Sequence, residues 1–184
     1  MTLRFTANSG RLTLISVYVP TLTSAADAKD RFYEQLGYVV QGLHSGDRRC
    51  ILGDFNARVG NDFATWPDCL GKHGVGKMNE NGLRLLEFCP KYQLCVTNTH
   101  FKSKLNHKLS CMHPRSKHWH QLDLIVTKRK DHRYFLHTRS YLSADCGTDH
   151  ALVATKARFV SKCLTLPEHL AKQKLIFAKQ ETLL

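Results

Sequence analysis

Asp54 and Asn56 stand directly after a short apolar run, Cys50-Ile51-Leu52, that stops at Gly53. On an extended backbone, a carboxylate and a carboxamide two residues apart project to the same side. Together they offer an acceptor beside a donor, a combination suited to holding a water against a phosphate. The same residue types also make an ordinary turn, so the pair alone does not separate a site from a bend. Further along, Asp149-His150 precedes another apolar run, and Asp123 is the only charge within residues 121–126. An acid in an apolar strand either faces solvent or has a partner, because burying it alone is costly. Asp54, Asp123 and Asp149 therefore all fall at or near the ends of expected strands. A shared acidic rim is the expectation, able to hold a hard divalent cation through oxygen ligands and to orient the His150 imidazole. Tyr18, two residues before Pro20, would bring its hydroxyl to such a rim, although an amphipathic sheet tyrosine explains it equally well.

The elements that would position these groups follow from the patterning. Residues 2–6, the turn signal of residues 7–10 and the apolar residues 12–19 form an expected β-hairpin feeding a buried strand that ends at Pro20. A helix is expected over residues 25–43, from the spacing of Ala26, Phe32, Leu36, Val39, Val40 and Leu43, with Thr23 or Ser24 as its cap. Strand, helix, strand points to a layered α/β fold. Residues 59–79 form a long loop holding Trp66. Within it, Gly71 to Lys77 matches G-x-x-x-x-G-K, but Met78 stands where Ser or Thr is required and no strand immediately precedes the loop. A nucleotide-binding P-loop is therefore excluded, and a flexible basic surface loop suffices. A second helix is expected from Asn79 to Cys89, with strands at residues 94–98, 121–126, 134–142 and 151–159. Residues 1–160 are expected to be one domain, and residues 161–184 a helical tail or linker opened by Pro167.

Composition narrows the partner. The chain has 184 residues, with 27 Lys plus Arg against 15 acids, a formal charge of +12. Such an excess suits polyanions, nucleic acid first and an anionic membrane second, or else marks a merely soluble basic protein. Between residues 112 and 120, His113, Arg115, Lys117, His118 and His120 surround Trp119. Basic groups interleaved with an aromatic suit phosphate contact and base stacking better than a metal cluster. The seven cysteines are scattered without C-x-x-C spacing, which suits a reducing compartment, nuclear or cytoplasmic. No run reaches transmembrane length. The expected partner is nucleic acid, with no membrane and no small-molecule cofactor.

Four motifs in order, Val17-Tyr18-Val19-Pro20, Gly53-Asp54-Phe55-Asn56, Gln121-Leu122-Asp123 and Thr148-Asp149-His150, resemble the endonuclease/exonuclease/phosphatase superfamily, the fold shared by apurinic endonucleases and DNase I. The fuller wording of residues 53–60, 79–89, 97–101 and 113–123 is similar to the endonuclease domain of non-LTR (LINE) retrotransposons of the RTE/BovB type. The resemblance implies a four-layered α/β sandwich that cleaves DNA phosphodiesters with Mg²⁺ or Mn²⁺. It implies that Asp54 orients or deprotonates the attacking water, that Asn56 hydrogen-bonds the phosphate or that water, and that Asp149 joins the metal shell. His150 would touch a phosphoryl oxygen, Asp123 would fix its tautomer and charge, and Tyr18 would reach the phosphate. Arg58, Arg115, Lys117, His118 and Trp119 would face DNA. Family members begin with a strand carrying an Asn and a strand carrying a metal-binding Glu, whereas Glu34 and Glu80 stand elsewhere. The domain is thus expected to lack its first strands, to hold metal weakly and to leave residues 12–19 as an open sheet edge. Ser110-Cys111 also stand where relatives tend to have Thr-Trp. A nucleic-acid-binding remnant without catalysis is the alternative.

Overall fold

Burial alternates along the strands, and that alternation sets the layers. In the structure, a computed structural model that describes residues 1–7, 10–112, 117–142 and 148–158, the strands are β1 (Thr2–Ala7), β2 (Gly10–Tyr18), β3 (Arg48–Asp54), β4 (Leu94–Val96), β5 (Cys111–Met112), β6 (Trp119–His120), β7 (Asp123–Lys128), β8 (Phe135–Tyr141) and β9 (Leu152–Ala157). Two α-helices, α1 (Ala26–Gln41) and α2 (Glu80–Lys91), and three short 3-10 turns complete the order. The main sheet runs β1-β2-β3-β7-β4, while β5-β6 and β8-β9 form two-stranded sheets. Among the described residues only β2 and β3 pair in parallel, and α1 supplies the crossover that a parallel pair requires.

On one face of the main sheet, Ile15, Val17, Ile51, Leu124 and Val126 pack against Leu36 and Val40 of α1 and Leu85, Leu86 and Phe88 of α2. On the other face, Leu14, Cys50, Leu52 and Ile125 meet Phe135 of β8, with Val153 and Ala157 of β9 partly buried beside them. Each fully buried aliphatic or aromatic side chain of this kind contributes about 1.5–3 kcal/mol relative to exposure. Helices, main sheet and β8–β9 are three of the layers of the expected α/β sandwich, stacked in that order.

The structure departs from sequence expectation in several places. The cap of α1 is Ala25, which makes no side-chain hydrogen bond to the helix. Thr21 instead contacts the hydroxyls of Thr23 and Ser24, the two residues expected to cap it. Residues 12–15 are not an open edge: β1 pairs with β2 from Gly10 to Ile15, and Ser16 N donates to Met1 O at 2.8 Å, so this part of β2 lies inside the sheet, whereas residues 17–19 extend past β1. The hairpin expected from residues 2–19 is what covers it. The long loop of residues 59–79 is anchored by a bridge between Gly60 and Val75 and by His73 N donating to Thr99 O at 2.8 Å. Trp66 packs on the helix-side core. The expected tail, residues 161–184, lies outside the described residues.

Register carries the chemistry to one rim. Asp54, the last residue of β3, pairs with Asp123, the first of β7. Tyr18, the last residue of β2, pairs with Asp54. By the same alternation, Asp54 and Asp123 share the face of Leu52 and Ile125, the face covered by β8 and β9.

Candidate active site

At that rim the segment before β9 delivers His150. Its Nδ1 lies 2.9 Å from Asp123 Oδ2, and its Nε2 lies 4.0 Å from Asp54 Oδ2. The imidazole thus sits between two carboxylates that neighbouring strands hold in register. The hydrogen bond to Asp123, followed by the contact with Cys111, pushes the His150 pKa up to about 11 against the cost of burial. His150 is therefore an imidazolium at neutral pH, with Nε2–H aimed away from Asp123. Burial, the largest cause, raises the pKa of Asp54, and the Asp123 charge adds to it. The Asn56 backbone N–H opposes that shift by donating to Asp54 Oδ1 at 2.8 Å.

Asp54 and Asn56 do not extend side by side. Asn56 has φ of 46°, so the chain leaves the strand through the left-handed region, where Asn is tolerated. Its Nδ2 donates to Val19 O at 2.8 Å, tying the β3 exit to the β2 exit. One amide proton and Oδ1 stay available for a ligand. Gly53 makes the approach possible: its φ is +142°, and a Cβ there would lie 1.9 Å from Val17 O.

The supporting residues escaped sequence reading. Asn81, 1% exposed, donates through Nδ2 to Pro20 O at 3.0 Å and to Asn56 O at 3.1 Å. Ser110 Oγ accepts from the backbone N–H groups of Leu122 and Asp123 at 3.1 and 3.0 Å. Asn98 donates to Asp123 O at 3.1 Å and accepts from Ile125 N at 2.8 Å, clamping the start of β7. The signal available was buried polar type beside apolar neighbours, which turns and caps share.

Of the other expected residues, Tyr18 is 54% exposed at the rim. Asp149 is exposed beside His150, and its backbone O accepts from Met112 N at 2.9 Å. Arg58 follows Asn56 on the rim loop, its N–H donating to Asn79 Oδ1 at 3.0 Å. Lys117 has φ of 56°, and Lys117, His118 and Trp119 are exposed. Trp119 pairs with Met112 of β5, whose neighbour Cys111 bridges to His150. The basic–aromatic segment therefore runs one strand away from the imidazole. Arg115 and His113 lie outside the described residues.

Glu34 and Glu80, the acids misplaced for a metal shell, belong to the helices on the opposite face of the sheet. Glu80 meets Lys29 at 3.3 Å and Arg84 at 3.4 Å. Glu34 accepts from Tyr38.

No family model matches the chain. Among solved structures, the endonuclease domain of TRAS1, a telomere-specific non-LTR retrotransposon, superposes with a TM-score of 0.57 at 14% identity, over 82% of this chain and 57% of that one. The 3'-5' exonuclease NExo from Neisseria meningitidis gives 0.58 at 16% identity, over 86% and 65%. The catalytic domain of Xenopus laevis APE2 gives 0.56 at 19% identity, over 88% and 56%. The fold is that of the DNase I-like endonuclease/exonuclease/phosphatase proteins. By sequence, Craniofacial development protein 2 of Bos taurus is 32% identical over 164 residues, 89% of this chain. The protein of the same name from Tragulus javanicus is 31% identical over the same length. The chain spans only 27% and 28% of those two proteins.

Proposed function

We propose that this chain is a retrotransposon-derived endonuclease-like domain that hydrolyses DNA phosphodiester bonds with Mg²⁺ or Mn²⁺. The observation that carries the reading is the Asp123–His150–Asp54 arrangement at the rim between two sheets. A phosphodiester needs an aligned water, charge neutralisation on its non-bridging oxygens and help for the leaving oxygen. Asp54 accepts a hydrogen bond from the attacking water and takes its proton; its raised pKa moves it toward the range of an effective base. As the water oxygen bonds to phosphorus, the bond to the departing ester oxygen breaks, and that oxygen takes up a proton from solvent. His150 Nε2–H donates to a phosphoryl oxygen, and Asp123 holds the ring and its charge in place. The free amide proton of Asn56 and the Tyr18 hydroxyl position the phosphate.

Mg²⁺ takes oxygen ligands and commonly keeps several waters, with one or two carboxylates from the protein. The exposed carboxylate of Asp149 fits such a shell, whereas Asp54 and Asp123 already face His150. When bound, the metal would neutralise phosphate charge at the rim. Arg58, Lys117, His118 and Trp119, with Arg115 and the overall charge of +12, would supply phosphate contact and stacking. DNA in a nuclear or cytoplasmic setting is the partner this implies. RTE/BovB-type ancestry rests on sequence wording alone.

A second reading, binding without cleavage, is favoured by the position of Glu34 and Glu80 behind the sheet. Plasmid nicking with Mg²⁺ separates the two. The nuclease reading expects nicking that Asp54→Ala lowers by about 10²-fold or more. Absent nicking, with salt-dependent DNA binding unchanged in Asp149→Ala, establishes the second reading; absent binding removes both.

A further inference from the structure

The rim holds a sulfur that phosphodiester hydrolysis does not use. Cys111, in β5, forms an antiparallel bridge with His150. Met112 N donates to Asp149 O at 2.9 Å and Ala151 N donates to Ser110 O at 2.6 Å. These flanking bonds make Cys111 and His150 a pair without hydrogen bonds between them, the kind whose side chains approach most closely on one face. One ligating atom from each of Cys111, Asp149 and His150 lies within 4.8 Å of the other two. Cys111 is buried, His150 is half-buried and Asp149 is exposed. The donor set is therefore a thiol, an imidazole and a carboxylate, with the carboxylate opening to solvent.

The geometry points to a transition-metal site of the zinc class formed by Cys111, His150 and Asp149, with water in a fourth position. Three lines of chemistry support it. Thiolate and imidazole are the donors that borderline ions such as Zn²⁺ and Co²⁺ prefer, whereas Mg²⁺ takes oxygen. Metal-ligating histidines characteristically donate their second nitrogen to a carboxylate, which orients the ring, and Asp123 already engages Nδ1 at 2.9 Å. Nε2 is the nitrogen left to ligate, and metal binding releases to solvent the proton it carries together with the Cys111 thiol proton. A tetrahedral shell with Zn–S of about 2.3 Å and Zn–N of about 2.0 Å needs three donors within reach of one ion, and these lie within 4.8 Å of one another. The exposed Asp149 side chain can move to meet it, while the paired backbones of β5 and the segment before β9 keep the other two donors in register.

This site shares His150 and Asp149 with the proposed hydrolytic centre but does not depend on hydrolysis. The consequence is competition. The Nε2 edge of His150 holds either a phosphoryl oxygen or the metal, so Zn²⁺ acts as an antagonist of Mg²⁺-dependent cleavage rather than a substitute for Mg²⁺.

The test is binding of Co²⁺ to the full chain stripped with a chelator. One equivalent should bring a near-ultraviolet thiolate-to-cobalt charge-transfer band together with intense visible bands of tetrahedral Co²⁺, and Zn²⁺ should displace both. Cys111→Ser should abolish the charge-transfer band and weaken binding by roughly 10-fold or more. The Cys146→Ser/Cys163→Ser variant should keep the band. Should Cys111→Ser fail to melt cooperatively, X-ray absorption of the Zn²⁺-loaded native chain decides, with one sulfur expected near 2.3 Å. A shell of nitrogen and oxygen alone, or a charge-transfer band that survives Cys111→Ser, overturns the proposal. Neither result depends on whether the chain cleaves DNA.

Discussion

Between Asp123 and Asp54, the His150 ring has its Nδ1 edge fixed at 2.9 Å and its Nε2 held more loosely, 4.0 Å from a carboxylate, and that asymmetry gives it a direction. Nδ1–H donates to Asp123 Oδ2, so the proton a phosphate would meet is the one on Nε2, 4.0 Å from Asp54 Oδ2. A carboxylate beside an imidazolium whose other nitrogen a second carboxylate holds is a pairing that one-dimensional spacing does not contain. Asp123→Asn keeps the shape of the contact and removes the charge. His150, whose pKa is pushed up to about 11, should then titrate much nearer its ordinary value of 6.5. The sign follows from linkage: an elevated histidine pKa stabilises the folded chain fully below 6.5, and that contribution is lost as pH rises toward 11. Titration of the His150 ring protons by NMR reads this directly. A native His150 that already titrates near neutrality would remove the imidazolium from the mechanism.

At the scale of elements, the rim is built by three chain exits that lean on one another. Val19 O accepts from Asn56 Nδ2, and Pro20 O and Asn56 O both accept from Asn81 Nδ2 at the start of α2. The helix is itself capped by Asn79, whose Oδ1 accepts from Gly82 N at 2.8 Å and from Arg58 N. Gly82 is required there because a Cβ would lie 1.8 Å from Arg58 O. Asn81→Ala removes a buried amide that serves two carbonyls. It should cost about 1–3 kcal/mol of stability, visible as a lower midpoint in denaturant at unchanged slope. An unaltered midpoint would mean that the β2 and β3 exits hold their geometry without α2. The strands other than β5 and β6, which fall where a basic loop was expected, both helices and the residues Asp54, Asp123 and His150 were legible because period-2 and period-3.6 apolar patterns and isolated acids at run ends survive in one dimension. Asn81, Ser110 and Asn98 were not, because their work is done on backbone carbonyls and N–H groups brought near by register. The same reason hid the left-handed turn at Asn56 and the Ala25 cap of α1, where local residue types favoured a simpler geometry. The open edge expected at residues 12–19 is closed as far as Ser16 by a hairpin whose two arms were both visible in the pattern.

Over the whole molecule, stability and charge pull on different parts of the pH scale. The formal charge of +12 suits a polyanionic partner, and every histidine that gains a proton adds to it. Some histidines resist. His100 and His132 stack with ring centroids 3.9 Å apart. Burial first, then the neighbouring His132 and His73, push His100 down to about 4, and burial also lowers His132. Above 6.5 neither folded nor unfolded chain protonates His100, and its neutral packing is fully present. As pH falls from 6.5 toward 4, the unfolded chain takes a proton that the folded chain refuses, so stability drops across that window and the loss is complete below 4. His150 adds no slope there, since it is charged in both states below 6.5. The melting temperature should therefore fall between pH 7 and pH 4.5 more steeply in the native chain than in His100→Phe, which keeps an aromatic ring against His132 without a titratable nitrogen. Parallel pH profiles for the two proteins would place the acid sensitivity in the exposed charge of the molecule rather than in this stacked pair.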